Sequence, residues 1–557
     1  MKKGTPSQGW FASGAPWVWL NAAAVAVSII MVAGLLLLIA VRGMGHFWPK
    51  DVVEFTLPDQ QRLLGEIHDS ERVSLERLRH AGLEFEAADA DDRRDWLTRY
   101  LVKTGNRDLT GMDFRWLLET ALLAQRRPAT VVTVERREWG NFYGYLDALL
   151  RDGEVVARGE SAWAPLQARL EQSLALHARI RAIEKKEIGA LNAEVERLRL
   201  RQRRLELEGA YTPARQRELA AQRAALESRY AVLQRQLETL YAELNRDTVV
   251  LKTADGHALS LPLAKVVRVY RPNAMGLGEK LRFYFAKLWE FVSDEPREAN
   301  TEGGIFPAIF GTVMMVILMS IFVTPFGVVA AIYLREYARQ GLLTRLIRIA
   351  VNNLASVPSI VYGVFGLGFF VYFLGGNIDR LFFPEALPAP TLGTPGILWA
   401  SLTLALLTVP VVIVATEEGL SRIPRAIREG SLALGATKAE TLWRTVLPMA
   451  SPAIMTGLIL AIARAAGEVA PLMLVGVVKL APSLPVDGNF PYLHLERKFM
   501  HLGFHIYDVG FQSPNVEAAR PLVYATALLL VLVIVVLNLT AIHIRNRLRE
   551  KYRSLEQ

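Results

Sequence analysis

There is no cysteine anywhere in the chain, which excludes disulfides, thiolate metal sites and cysteine nucleophiles together. Also missing is a Gly-x-x-x-x-Gly-Lys-Ser/Thr loop, and even the Gly-Lys dipeptide does not occur, so a phosphate-cradling loop for ATP is absent. Any energy drawn from nucleotide hydrolysis must therefore come from another chain. No Gly-x-Ser-x-Gly elbow and no His-Glu-x-x-His pair is found, so no catalytic residue and no metal ligand recommends itself, and the chain reads as a non-enzyme. Basic residues exceed acidic ones by only nine, 64 against 55, and much of the excess sits in short arginine-rich pieces beside apolar runs. Membrane orientation explains such pieces more simply than nucleic acid, which is not expected as a partner.

What is present in quantity is apolar length. The 557 residues are 52% hydrophobic and 21% charged, too apolar for an ordinary soluble chain, with the charge concentrated between about 50 and 300. Six stretches are long enough to cross a bilayer: about 18–41, 305–333, 350–374, 396–416, 453–478 and 520–543. The first follows Lys2 and Lys3 and has no small-residue cleavage site at its end, so it reads as a retained anchor. Short loops give the orientation. Arg335, Arg339, Arg345 and Arg348 crowd the second connection between spans; Arg422, Arg425, Arg428, Lys438 and Arg444 crowd the fourth; Arg545, Arg547, Arg549, Lys551 and Arg553 fill the tail. Those segments are expected in the cytoplasm with both termini, and residues 43–303, 375–395 and about 480–518 on the opposite side.

The region 43–303 reads as an extramembrane α+β insert. From about 165 to 246 it is charged and helical. Ile188, Leu191, Val195, Leu198 and Leu205 step by threes and fours with Gln202 in the seam, and Leu226, Tyr230, Leu233, Leu237, Leu240 and Leu244 repeat the pattern. Gly209 can end one arm, and Thr212 with Pro213 can cap the next, which predicts an antiparallel coiled-coil hairpin. Strand runs flank it at Ala129–Val134 and Thr248–Tyr270, with a turn at Ala254–His257. A packing stalk and a partner-binding module both fit this composition.

In the cytoplasmic segment from Glu429 to Pro448, Gly435 permits a sharp turn between two short helices. Ala433, Leu434, Leu442 and Trp443 give the segment an apolar side that must be buried, either in a partner's groove or on the bilayer surface. In span five, Arg464 lies twelve residues after Pro452, roughly 18 Å along a helix and so near mid-bilayer, where an arginine costs about 2.5–3.5 kcal/mol. Glu468, at i+4, can reach it. The pair either neutralises itself as a structural unit or offers the guanidinium fork to a passing oxyanion.

The run Glu429-Gly-Ser, three residues, Gly435, nine residues, Thr445, one residue, Leu447-Pro448 resembles the coupling-loop signature of ABC importer permeases, with Gly430, Ser431 and Thr445 as departures. Ala463-Arg-Ala-Ala-Gly-Glu-Val-Ala-Pro-Leu472, together with Val357-Pro-Ser-Ile-Val-Tyr-Gly363 and Glu417-Glu418-Gly-Leu, resembles the phosphate-transport permeases of PstA type over about 304–545. The resemblance implies an all-α polytopic permease fold of six helices. Its divisions are a tail and first helix at 1–42, the insert at 43–303, a permease domain at 304–545 with its coupling loop at 417–452, and a basic tail at 546–557. It implies a permease subunit of an ATP-driven phosphate importer in a bacterial inner membrane. An ABC ATPase dimer, a second homologous permease, a periplasmic phosphate-binding protein and membrane lipid would be its partners, with ATP-Mg bound by the ATPase and no cofactor in this chain. ATPase coupling would fall to Glu429, Gly435, Ala436, Leu447 and Pro448, and the substrate path to Arg464 and Glu468. A secondary anion transporter and a membrane-anchored coiled-coil scaffold or sensor are the competing readings.

Overall fold

A computed structural model of the chain describes residues 14–74, 76, 96–513 and 516–552. Lys2, Lys3 and Arg553 lie outside the described residues.

Among the described residues six helices are long and apolar enough to cross a membrane: Ala15–Gly45, Phe306–Tyr337, Ser359–Phe382, Ile397–Arg422, Lys438–Gly467 and Ala519–Glu550. They differ in how much protein surrounds them. The fourth is the core of the bundle, packed against the second and fifth, whereas the first touches the sixth and leaves its apolar window uncovered. Glycines set the close approaches. A Cβ on Gly327 would lie 2.6 Å from the Val412 side chain, and one on Gly366 would lie 2.2 Å from Thr403 Oγ1.

Two expected spans are corrected. The third begins at Ser359 and not near 350, because Leu342–Leu354 is a separate amphipathic helix. Pro358 removes a donor and biases Val357 out of the helical region, which separates the two. The fifth does not run on to 478: it stops at Gly467, Glu468 is extended at φ −80° and ψ 133°, and only the short helix Leu472–Val475 follows. Pro471 is the physical reason, since it has no N–H to donate and disfavours helical geometry at Ala470.

Among its described residues the insert holds two larger antiparallel sheets and a two-stranded ladder of Pro296–Arg297 with Glu302–Gly303. The first runs β4-β3-β2-β1-β5, built from β1 (Val52–Thr56), β2 (Arg62–Ser74), β3 (Trp96–Lys103), β4 (Phe114–Leu118) and β5 (Ala124–Arg126). The second contains β6 (Val132–Arg136), β7 (Phe142–Arg151), β8 (Glu154–Arg158), β9 (Asp247–Lys252), β10 (Ala258–Pro262) and β11 (Val266–Tyr270) in the order β10-β9-β7-β6-β11, with β8 on β7. Val52, Leu64, Val131 and Tyr143 form the apolar joint between the sheets.

Between β8 and β9 the chain leaves as a helical pair. The first arm is Trp163–Ala182, a π turn over Ile183–Ile188, and Gly189–Leu207; the second is Pro213–Leu244. Gly209 takes φ +66°, and the Thr212 side chain accepts from the Arg215 N–H. Tyr241 donates to Glu184, Arg229 pairs with Glu194 and Arg201 with Glu218, so the arms are antiparallel. The apolar seam is less continuous than its spacing suggests: Leu191, Leu205, Leu226, Leu240 and Leu244 are buried, but Val195 and Tyr230 are exposed. The π turn adds a residue to the first arm and rotates the face that follows.

The connections sort onto two faces of the bundle. On one, Arg204 of the hairpin pairs with buried Glu385, Asn300 donates to the Lys479 carbonyl at 2.8 Å, and Ile397 N–H bonds the Arg497 carbonyl at 2.9 Å. On the other, Arg428 reaches Glu336 at 2.9 Å and Arg348 reaches Glu417 at 3.2 Å. The insert, 383–396 and 478–513 therefore share a face, opposite the arginine-rich second and fourth connections.

Candidate functional site

On the arginine-rich face the chain forms an elbow. Helix Arg425–Ala433 ends at Leu434, Gly435 takes φ +89°, and Thr437 caps the helix starting at Lys438 by exchanging hydrogen bonds with Glu440. That φ is one an L side chain adopts only with strain, which is why glycine stands there. The bend is locked by Ser431 Oγ against Thr441 Oγ1 at 2.9 Å and by the Ala436 N–H on the Ser431 carbonyl at 3.3 Å.

The elbow is held from behind by a residue that the sequence offers only as an orienting charge. Arg428 donates to the Ile423 carbonyl at 3.1 Å, the Leu420 carbonyl at 2.7 Å and Glu336 at 2.9 Å, tying the fourth connection to the second. Lys438 adds a bond to the Glu336 carbonyl and stands 4.4 Å from the Tyr337 ring centre. A basic residue near the foot of a helix that ends in free carbonyls was the available signal.

Of the expected coupling residues, Glu429 and Gly435 lie on the exposed tip with Ala436 half-buried beside them. Leu447 and Pro448 are not at the tip: they are half-buried at its root, Leu447 packing on the cluster of Leu420, Ile423, Leu442, Val446, Ala450 and Ile454. Leu442 is likewise corrected from the outward apolar side to this inner cluster. The outward apolar residues are Leu434, 91% exposed, Trp443 at 68% and Leu432. Uncovered apolar area of that kind marks a contact surface for protein or membrane.

Span five carries the second constellation. Gly419 faces Ala453 and Gly457 faces Ala415 across the antiparallel fourth and fifth spans. Continuing that register seven residues past Gly457 brings Arg464 level with about Leu407, halfway along Ile397–Arg422. Arg464 thus sits at mid-depth in the last turn of a helix that stops there. Its Nε lies 3.5 Å from Glu468 Oε1, and among the described residues this ion pair is its one polar contact, so both terminal nitrogens keep their donors. Neither side chain is sealed, Arg464 being 34% and Glu468 22% exposed.

The unwound segment behind the pair is tightly fitted. A Cβ on Gly363 would come within 2.7 Å of Pro471 Cα, so at that point span three approaches the break with no room for a side chain of its own. The left-handed Gly476, φ +156°, meets Gly396 at the head of span four. Irregular backbone at membrane depth is tolerated where protein covers it or where it lines a wet path. The site thus combines a central guanidinium, a carboxylate one residue past a helix end, and a glycine-lined contact that keeps both in place.

Residues 323–550 match the binding-protein-dependent transport system inner membrane component family. The phosphate transport system permease protein PstA 1 of Mycobacterium tuberculosis is 34% identical over 247 residues, covering 44% of this chain and 71% of that protein. The Yersinia pestis phosphate transport system permease protein PstA is 32% identical over 256 residues, covering 45% and 75%. Among solved structures, the inward-facing MetNI methionine ABC transporter overlaps 43% of this chain and 94% of its own, at 18% identity and a TM-score of 0.32. The matched residues contain the elbow, the broken fifth span and its arginine, and the chain belongs to the PstA-type family of ABC importer permeases, multi-pass proteins of the inner membrane.

Proposed function

We propose that the chain forms one half of the path by which inorganic phosphate crosses the membrane in an ATP-driven importer. Arg464 carries the reading: a guanidinium at mid-depth, partly accessible, with its terminal nitrogens unspent, is suited to a tetrahedral oxyanion. Relatives named for phosphate transport agree with that chemistry. In this reading Glu468 holds the Arg464 side chain in place and partly balances its charge while the path is empty. The break at Gly467 lets the segment 468–476 move relative to the helix below it.

The exposed tip around Gly435, with Leu434 and Trp443, enters a groove of a separate ATPase dimer, which binds ATP-Mg. The arginine-rich face is then cytoplasmic, together with both termini, and the insert is periplasmic. A second homologous permease completes the path, and a phosphate-binding protein delivers substrate on the insert side. The hairpin, read as a short antiparallel coiled coil, belongs to that outer surface.

The test is the pair itself. If Arg464 and Glu468 only neutralise one another, Arg464→Met with Glu468→Met should restore transport lost in either single variant, because a broken buried pair is costly through the charge left behind. The proposal expects the double variant to insert, assemble and stay inactive, and Arg464→Lys to be impaired, since an ammonium lacks the planar fork. Phosphate uptake by the double variant at normal expression, measured in vesicles holding the whole importer, would overturn the anion-path role.

A further inference from the structure

The helix Leu277–Ser293 was not expected from the sequence, and its two sides differ in chemistry. One side is built into the protein. Lys280 reaches Asp51 at 2.6 Å, Lys287 reaches Glu135 at 2.6 Å and Glu290 at 3.2 Å, and Glu290 also takes Arg268 at 3.0 Å and Arg297 at 2.7 Å. The other side carries Leu277, Leu281, Phe285 and Trp289, one every fourth residue, each exposed and the last at 72%. Residues four apart share a face of an α-helix, so these form a single stripe.

We infer that this helix lies in the plane of the membrane at the insert-side interface, with the acyl–headgroup boundary of the bilayer covering the stripe Leu277, Leu281, Phe285 and Trp289. Position argues for lipid over water. Phe47 and Trp48, directly beyond the end of span one, pack on Tyr284, and Phe47 also packs on Phe291. At its other end the helix is bonded to the start of span two, Ile305 N–H on the Phe291 carbonyl at 2.8 Å and Phe306 N–H on the Asp294 carbonyl at 3.1 Å. The helix is thus fixed at the level where two membrane spans emerge, and the neighbouring span one presents an uncovered apolar surface. An apolar stripe held at that depth meets the same lipid as the span beside it.

Composition agrees. Trp289 and Trp48, both exposed, are at the height where tryptophan collects at membrane–water boundaries, and exposed Arg282 flanks the stripe as basic residues flank interfacial helices. The consequence is mechanical. The charge cluster joining Glu290 to β6, β11 and Arg297 stands on this helix, so the insert rests on the bilayer as well as on the bundle.

The chain's lack of cysteine makes the test direct. Single cysteines at Leu281 and at Phe285, in the whole importer in nanodiscs of phosphatidylethanolamine and phosphatidylglycerol, carry a nitroxide whose collisions with oxygen and with a water-soluble nickel chelate are compared. Ile30 on span one provides the lipid reference and Val232 on the hairpin the aqueous one; both are exposed on the protein. The inference expects both labels to fall between the references, nearer Ile30, with nickel collisions several-fold below those at Val232. Nickel access equal to Val232 would place the stripe in water and overturn it. Low access to both reagents with an immobilised spectrum would place a protein there and also overturn it.

Discussion

Gly435 offers a calculable perturbation. A Cβ built there meets nothing within 4 Å, so substitution carries no steric penalty from neighbours, and the whole effect comes from φ +89°. Placing an L residue in that region costs about 1–2 kcal/mol, and a β-branched one more. Such a cost changes a conformational ratio roughly 5- to 30-fold. Gly435→Ala should therefore lower uptake several-fold and Gly435→Val nearly abolish it, while Gly435→Asn, a residue that visits this region, stays close to wild type. Gly430 is the internal control: it also has open space around it, but it lies inside helix Arg425–Ala433. There alanine gains up to about 1 kcal/mol of helix propensity and should leave transport intact. The assays are phosphate uptake and copurification of the ATPase subunit at matched expression. Full uptake in Gly435→Val would refute the elbow argument. Equal damage from Gly430→Ala would show that bulk on the contact surface, and not backbone conformation, sets the requirement.

Three further expectations concern the insert. Burial raises the Glu290 carboxyl, but Lys287, Arg268 and Arg297 more than offset this and hold it at about 2, against 4.5 ordinarily. Because the folded value is depressed, its stabilisation is fully present above pH 4.5 and is lost as pH falls toward 2. About 2 kcal/mol should be gone by pH 3. Thermal unfolding of the purified chain at pH 7 and pH 3 should show this loss, and Glu290→Gln, already weakened at pH 7, should lose correspondingly less; an identical acid shift in both refutes it. Arg204→Ala leaves Glu385, 4% exposed, without its partner, yet Arg204 itself is mostly in water, so about 1 kcal/mol is at stake. Amides of Leu198–Leu207 should then exchange roughly five-fold faster, and unchanged protection would mean that the hairpin is held by other contacts. For sidedness, cysteines at exposed Ser228 and Ala439 should label oppositely with an impermeant reagent in spheroplasts, the first accessible and the second protected. Equal labelling of the two positions would remove the proposed orientation.

What could be read from the chain was whatever physics makes local. Lipid demands an uninterrupted apolar length, so all six spans were visible as composition, and Gly435 marked the elbow through its own backbone freedom, whereas the helix ends at Pro358 and before Pro471 were hidden inside apolar runs. The turn between β9 and β10 and the Thr212–Pro213 helix start were equally local. The first sheet was not legible. Strand β2 carries Glu66, Asp69, Glu71 and Arg72, and its alternation is masked because some of these charges are answered from other strands, as Glu71 is by Arg99. The Leu277–Ser293 helix was hidden for a related reason, since its inward side mixes Lys280, Lys287 and Glu290 with Tyr284 and Phe291 while its outward side is apolar, so no single stripe separates core from solvent.

The sequence by itself determined membrane class, the number of spans, the elbow and the arginine, Arg464, set deep in the apolar part of span five. The tertiary structure decided that span five ends at Gly467, that Arg464 stands level with the middle of span four, and that among the described residues its terminal nitrogens have no partner. It also decided that Leu442 turns inward while Trp443 turns out. Depth, pairing and exposure are relations between segments far apart in the chain, fixed by which glycine meets which neighbour, and no window of a single segment contains them.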